Sequence, residues 1–239
     1  MNKADVLKTF FDAILKGETI TYNDYGYYVC TGSISSCYRS YIKGSTRYSR
    51  KFPTMPRDLE TYTVAEIMRN QALSKDSSTG QLFGVGRYAI IPVTLKGLVN
   101  KNKTNVNLKF TPALQDQFGY YLLMERKNLR NYITKAVPDT TANLQAAALD
   151  LAKIWSSIGI PYDMQITWNG DTYNQVKNGS YYRERVGVKT EAAQTALKQL
   201  RANLTSATDP GTSSSSNLFF LALLAGGYYF YRKFKKNKS

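Results

Sequence analysis

The chain has 239 residues, 43% of them hydrophobic, with 19 tyrosines, two cysteines and no histidine. The lack of histidine excludes Ser–His and Cys–His triads and argues against the commonest zinc sites, and no metal site or cofactor is expected. A formal net charge of +15 implies an anionic partner, nucleic acid or the anionic bacterial wall. No zinc-finger spacing, RNA-recognition signature or phosphate-binding glycine loop is present, so nucleic acid is not expected.

Val6, Leu7, Phe10, Phe11, Ile14 and Leu15 recur at helical spacing and predict a first helix over 3–16. It runs into Lys16-Gly17-Glu18-Thr19 and then Tyr22-Asn23-Asp24-Tyr25-Gly26-Tyr27-Tyr28. A single carboxylate beside a tyrosine cluster suits glycosidic cleavage, which needs an acid of raised pKa and rings for sugars to lie against. Residues 20–57 are rich in Tyr, Ser, Thr, Gly and Arg and predict irregular or hairpin structure, with strands over 21–30 and 36–42. Within them, Arg39, Lys43, Arg47, Arg50, Lys51 and Arg57 form a basic stretch that reads equally well as a solvated loop. Cys30 and Cys37 stand close enough for a disulfide in an oxidising space, and two reduced thiols fit as well.

A capping-box pattern at Thr63-Val64-Ala65-Glu66 opens a second helix to about Leu73, followed by a polar loop over 74–80. Pro92 suits the first turn of a helix to about Val99. Thr111-Pro112 starts a helical region over 111–135, an alanine-rich helix covers 141–158, and a last one covers 190–202. Trp155 and Trp168 are expected in the core. Residues 206–217 form a serine-rich linker after a domain at 1–205. Residues 218–231 are uncharged and precede a basic tail with five positive charges in 232–238. Fourteen helical residues span about 21 Å against a hydrocarbon core of about 30 Å. Snorkelling lysines and a tyrosine belt would cover the deficit, so 218–239 is expected to be a transmembrane anchor. Residues 1–16 are too charged for a secretory signal peptide.

Four segments carry a resemblance. Phe11-Asp12-Ala13-Ile14-Leu15-Lys16-Gly17-Glu18 is similar to a helix ending in a catalytic glutamate, and Tyr22-Asn23-Asp24-Tyr25 to the stretch that follows it. Gly84-Val85-Gly86-Arg87-Tyr88-Ala89-Ile90-Ile91-Pro92-Val93-Thr94-Leu95-Lys96 resembles a Gly-Arg-Tyr-Gln and Pro-x-Thr-Leu motif lining a cleft. Trp155-Ser156-Ser157-Ile158-Gly159-Ile160-Pro161-Tyr162-Asp163 and Gly179-Ser180-Tyr181-Tyr182 resemble the C-terminal motifs. Together they resemble the phage lysozyme-like (muramidase-fold) lytic transglycosylases, which include lambda endolysin and virion-associated wall-degrading domains. The departures are Ala89 in place of the glutamine and Thr19-Ile20 in place of Ser-Gly.

The resemblance implies a mainly helical α+β lysozyme-like fold with a small β region, here followed by the transmembrane helix. It implies cleavage of the β-1,4 bond between N-acetylmuramic acid and N-acetylglucosamine in peptidoglycan, with Glu18 as acid and base. Tyr22, Asn23, Tyr25, Gln71, Arg87, Tyr88, Tyr181 and Tyr182 are the candidate substrate-binding residues. Hydrolysis is the second choice and needs another carboxylate, for which Asp24 is the nearest in sequence. Expected surroundings are the membrane of a lipid-containing virion, where other virion proteins would be neighbours, or a host inner membrane with the enzyme facing the periplasm. The alternative is an inactive protein of the same fold that binds glycan or serves a structural role in the virion.

Overall fold

The structure is a computed structural model that describes residues 2–15, 30–32, 40–43, 46–49, 59–73 and 82–204, the three short stretches between 30 and 49 by their backbone alone. Seven α-helices are found among these residues, with three separate two-stranded antiparallel ladders.

Helix α1 (Lys3–Ile14) begins at Asn2, whose side chain accepts the Asp5 N–H at 2.8 Å and so satisfies one of the helix's orphan donors. Its apolar stripe buries Val6, Leu7, Phe10, Phe11 and Ile14, partly against α7 (Thr190–Leu204), which buries Ala193, Ala196, Leu197 and Leu200. Each large apolar side chain so buried stabilises the fold by about 1.5–3 kcal/mol. Helix α2 (Val64–Gln71) carries the complete capping box: the Thr63 hydroxyl accepts the Glu66 N–H, and the Glu66 carboxylate accepts the Thr63 N–H at 2.7 Å.

Strand β1 (Cys30–Gly32) pairs with β4 (Leu82–Val85), and β2 (Ser40–Lys43) pairs with β3 (Thr46–Ser49). After β4 the chain turns through residues 86–89 and closes with reciprocal Val85–Ile90 backbone bonds of 3.2 and 3.0 Å. Pro92 then starts α3 (Pro92–Asn102). Thr111 caps α4 (Pro112–Glu125), and a single extended residue, Arg126, separates it from α5 (Lys127–Ile133). Helix α6 (Thr141–Ala152) stops before Trp155. A hairpin of β5 (Met164–Trp168) and β6 (Asp171–Gln175) precedes α7.

The fold class expected from the sequence is corrected. In place of a lysozyme-like fold with one small β region near the front, the described β structure is three unconnected ladders, and one of them lies at 164–175. Among the described residues no helix is long and apolar enough to cross a membrane, and the segment expected to be the transmembrane helix, 218–239, is not among them. Residues 206–239, with the linker and the apolar run, lie outside the described residues. Two boundaries differ as well. The helical region at 111–135 is two helices, because the Asp150 carboxylate accepts the Asn128 and Leu129 N–H groups at 3.0 and 3.2 Å and restarts the helix there. The helix expected over 141–158 ends at Ala152, and the Trp155 indole N–H then donates to the Tyr88 carbonyl at 3.2 Å.

Candidate functional site

A cleft of about 730 Å³ opens between the turn after β4, the exposed face of α3, the C-terminal ends of α4 and α6, and the β5–β6 hairpin. Its base is built from the Gly84–Ile91 segment. Gly86 adopts φ +69°, and a Cβ there would lie 2.1 Å from Gln115 Oε1, so a side chain would be strained and would have to displace Gln115. Gln115 is fully buried. Its side chain accepts the Arg87 N–H at 3.0 Å and donates to the Phe110 carbonyl at 3.1 Å, tying the turn to α4. Ala89 also adopts a left-handed conformation, φ +47°, and lines the cleft.

Tyr88 is buried and forms part of the cleft lining. The Phe11 ring meets it edge-on at 4.8 Å, and Trp155 lies at 6.4 Å. The Tyr88 hydroxyl donates to Asp116 Oδ1 at 2.5 Å. Gly119 makes room for the ring, since a Cβ there would lie 2.4 Å from it. Arg87 is buried and donates to the Asp12 carboxylate of α1. Phe11 and Asp12 thus pin the last turns of α1 to the cleft base through two adjacent residues.

The far wall is knitted through 156–188. The buried Ser180 hydroxyl donates to the Ser156 carbonyl at 2.7 Å and accepts the Tyr182 N–H at 3.1 Å. Tyr182 donates to the Lys153 carbonyl at 2.8 Å, and Arg126 donates to the same carbonyl at 3.4 Å. One carbonyl therefore joins the α4–α5 junction, the end of α6 and the Tyr182 loop. Burial pushes the Tyr182 hydroxyl above its ordinary value, opposed by the nearby Arg126 guanidinium. Trp168 stands at the end of β5 with 45% of its surface exposed and meets Tyr182 edge-on at 5.3 Å. Glu125, paired with Lys101 at 3.1 Å, and Glu184 bring carboxylates to the lining.

Of the candidate residues, Tyr88 and Tyr182 line this cleft. Tyr181 is half-buried behind Tyr182, its ring 5.0 Å away, with the Lys153 ammonium 5.3 Å above it. Arg87 and Gln71 serve the scaffold. Gln71 is buried and donates to the Phe83 and Ile90 carbonyls at 2.7 and 3.0 Å, bracing both arms of the β4 turn. Glu18, Tyr22, Asn23, Asp24 and Tyr25 lie outside the described residues, as do Cys37 and the side chain of Cys30. Trp155 is in the core as expected, whereas Trp168 is not. Reasoning from sequence missed Trp168 and its hairpin, although Asn169-Gly170 between strand-forming residues is a strong two-residue turn signal.

Among the described residues no group of three or more His, Cys, Asp or Glu side chains is placed to hold a metal ion. No protein-family model, curated protein or solved structure matches the chain at a significant level.

Proposed function

We propose that the chain cleaves the glycan strands of bacterial peptidoglycan as a lytic transglycosylase, with Glu18 as acid and base. The observation that carries the reading is a convergence. Segments 84–96, 155–163 and 179–182, each similar to a motif of wall-degrading enzymes, all contribute residues to one cleft. The end of α1 is tied to that cleft by the Asp12–Arg87 pair and the Phe11–Tyr88 contact. Glu18 follows Leu15 by three residues, a chain reach of at most about 11 Å.

Within this reading, Glu18 protonates the oxygen leaving the scissile bond. Its carboxylate then takes the proton of the C6 hydroxyl on the same sugar, whose oxygen closes on the anomeric carbon. The acid is restored, no water is consumed, and no second carboxylate is required. Trp168 and Tyr182 offer rings to pyranose faces, and the surplus of positive charge, +15 over the chain, suits an anionic wall polymer.

The test is release of soluble muropeptides from purified sacculi by the full chain and by Glu18→Gln. Release by the parent and loss in the variant support cleavage. Sedimentation of both proteins with sacculi and no release by either would mean a protein that only binds glycan.

A further inference from the structure

Gly97 lies in the middle of α3, on the face that also turns Val93, Thr94 and Lys101 toward the cleft. Glycine inside a helix is unfavourable relative to alanine because its backbone loses more freedom on folding. Two other described glycines have a local reason. At Gly119 an added Cβ would lie 2.4 Å from the Tyr88 ring, and at Gly159 it would lie 2.9 Å from the Asn178 Cα. At Gly97 an added Cβ meets no heavy atom within 4 Å among the described residues. Its backbone is helical, so no positive φ requires glycine either. The missing side chain instead leaves the helix backbone open to the cleft.

Trp168 supplies the second observation. It keeps a large ring 45% exposed at the end of β5, lining the same cleft. Its neighbour Tyr182 is held by the Lys153 carbonyl and by Ser180, so the ring has a firm backing. A two-residue turn, Asn169-Gly170, with φ of +51° and +87°, sets the hairpin end that carries it. An exposed indole and a bare stretch of helix suit a flat ligand with apolar C–H faces and a polar edge. A pyranose ring has that form. The Lys101–Glu125 pair, Arg126 and Glu184 in the same lining supply donors and acceptors for hydroxyl and acetamido groups.

We propose that Gly97 and Trp168 form a saccharide subsite that holds one N-acetylhexosamine ring of a β-linked strand, Trp168 as the stacking face and Gly97 as the gap that admits the ring. The proposal rests on the glycan reading of the cleft given above, and adds to the ring that Trp168 offers the gap at Gly97 that admits a sugar beside it.

The experiment is calorimetric titration of the full chain carrying Glu18→Gln with a β-1,4-linked N-acetylglucosamine oligomer, so that binding is read without turnover. Gly97→Leu and Trp168→Ala are each placed on that background. The subsite predicts binding about tenfold weaker in both, with Gly97→Leu melting no lower than its parent because leucine is the better helix former. Unchanged binding in either variant overturns it. So does a lowered melting temperature in Gly97→Leu, which would give the glycine a structural reason, or an absence of binding by the parent. The cleavage reading fails separately. Weakened binding in both variants with no muropeptides released by the Glu18 chain removes cleavage and keeps the subsite. Muropeptide release with unchanged binding in both variants does the reverse.

Discussion

Asp12 on α1 and Arg87 in the turn after β4 form an ion pair across 75 positions of sequence, with the guanidinium side chain only 2% exposed and the carboxylate 28%. The pair holds the chain that leads to Glu18 against the segment that forms the cleft base. Replacing Asp12 by alanine withdraws the carboxylate from a buried guanidinium. The expected loss is about 3 kcal/mol, the lower end for a buried pair because Asp12 keeps some contact with water. Chemical denaturation of Asp12→Ala checks it, and a loss below about 1 kcal/mol would mean that the pair behaves as a surface one.

Gly119→Ala places a methyl group where the Tyr88 ring lies, 2.4 Å from its nearest atom. The ring has little room to retreat, since Phe11 meets it at 4.8 Å and Trp155 lies at 6.4 Å. Overpacking of this kind costs about 1–3 kcal/mol. The variant is expected to unfold at lower denaturant and to show an altered near-ultraviolet circular dichroism spectrum from the displaced aromatic cluster. Native-like values for both would contradict the packing described.

Asp150→Ala removes the acceptor for the first N–H groups of α5, bonded at 3.0 and 3.2 Å. The expected cost is about 1–2 kcal/mol, that of losing a helix cap. Hydrogen exchange localises the effect: amides at 128 and 129 lose protection first, while those of α1 keep theirs relative to the global stability.

Tyr120, half-buried, and Tyr132, fully buried, make the fold sensitive to alkali. Burial raises the Tyr120 hydroxyl from its ordinary 10.0 to about 12, with a smaller contribution from Tyr121. Tyr132 is raised by burial and then by its 2.6 Å bond to Asp139. In the unfolded chain these groups ionise near pH 10, and in the folded chain they ionise later. Between those values the folded state binds more protons, so stability falls as pH rises. The contribution is whole below about pH 10 and declines progressively above it, through about pH 12 for Tyr120. Tyr120→Phe is expected to reduce the steepness of that decline, measured by denaturation from about pH 9 to about pH 11. An unchanged slope would contradict the assignment.

The parts of this fold that were legible in the sequence depend on neighbours in the chain. Thr63 and Glu66 announce the start of α2 because their bonds close within four residues. Pro92 and Pro112 mark first turns because a missing N–H costs nothing there. What escaped depends on partners distant in sequence. Nothing near Arg126 signals the break between α4 and α5, because the carboxylate that restarts the helix comes from Asp150, over 20 positions away. Gln71 looks like a solvated helix end until the two carbonyls it braces, 12 and 19 positions on, fold over it. The hairpin at 164–175 is a different omission. Its Asn-Gly turn is local and visible, and its strands place Trp168 on the cleft.

The cleavage reading is tested most directly by mass spectrometry of purified peptidoglycan incubated with the full chain and with Glu18→Gln. The parent is expected to release 1,6-anhydro muropeptides and the variant none. Reducing-end products would mean hydrolysis by water and a second carboxylate, and an absence of products from the parent would contradict the assignment of cleavage altogether.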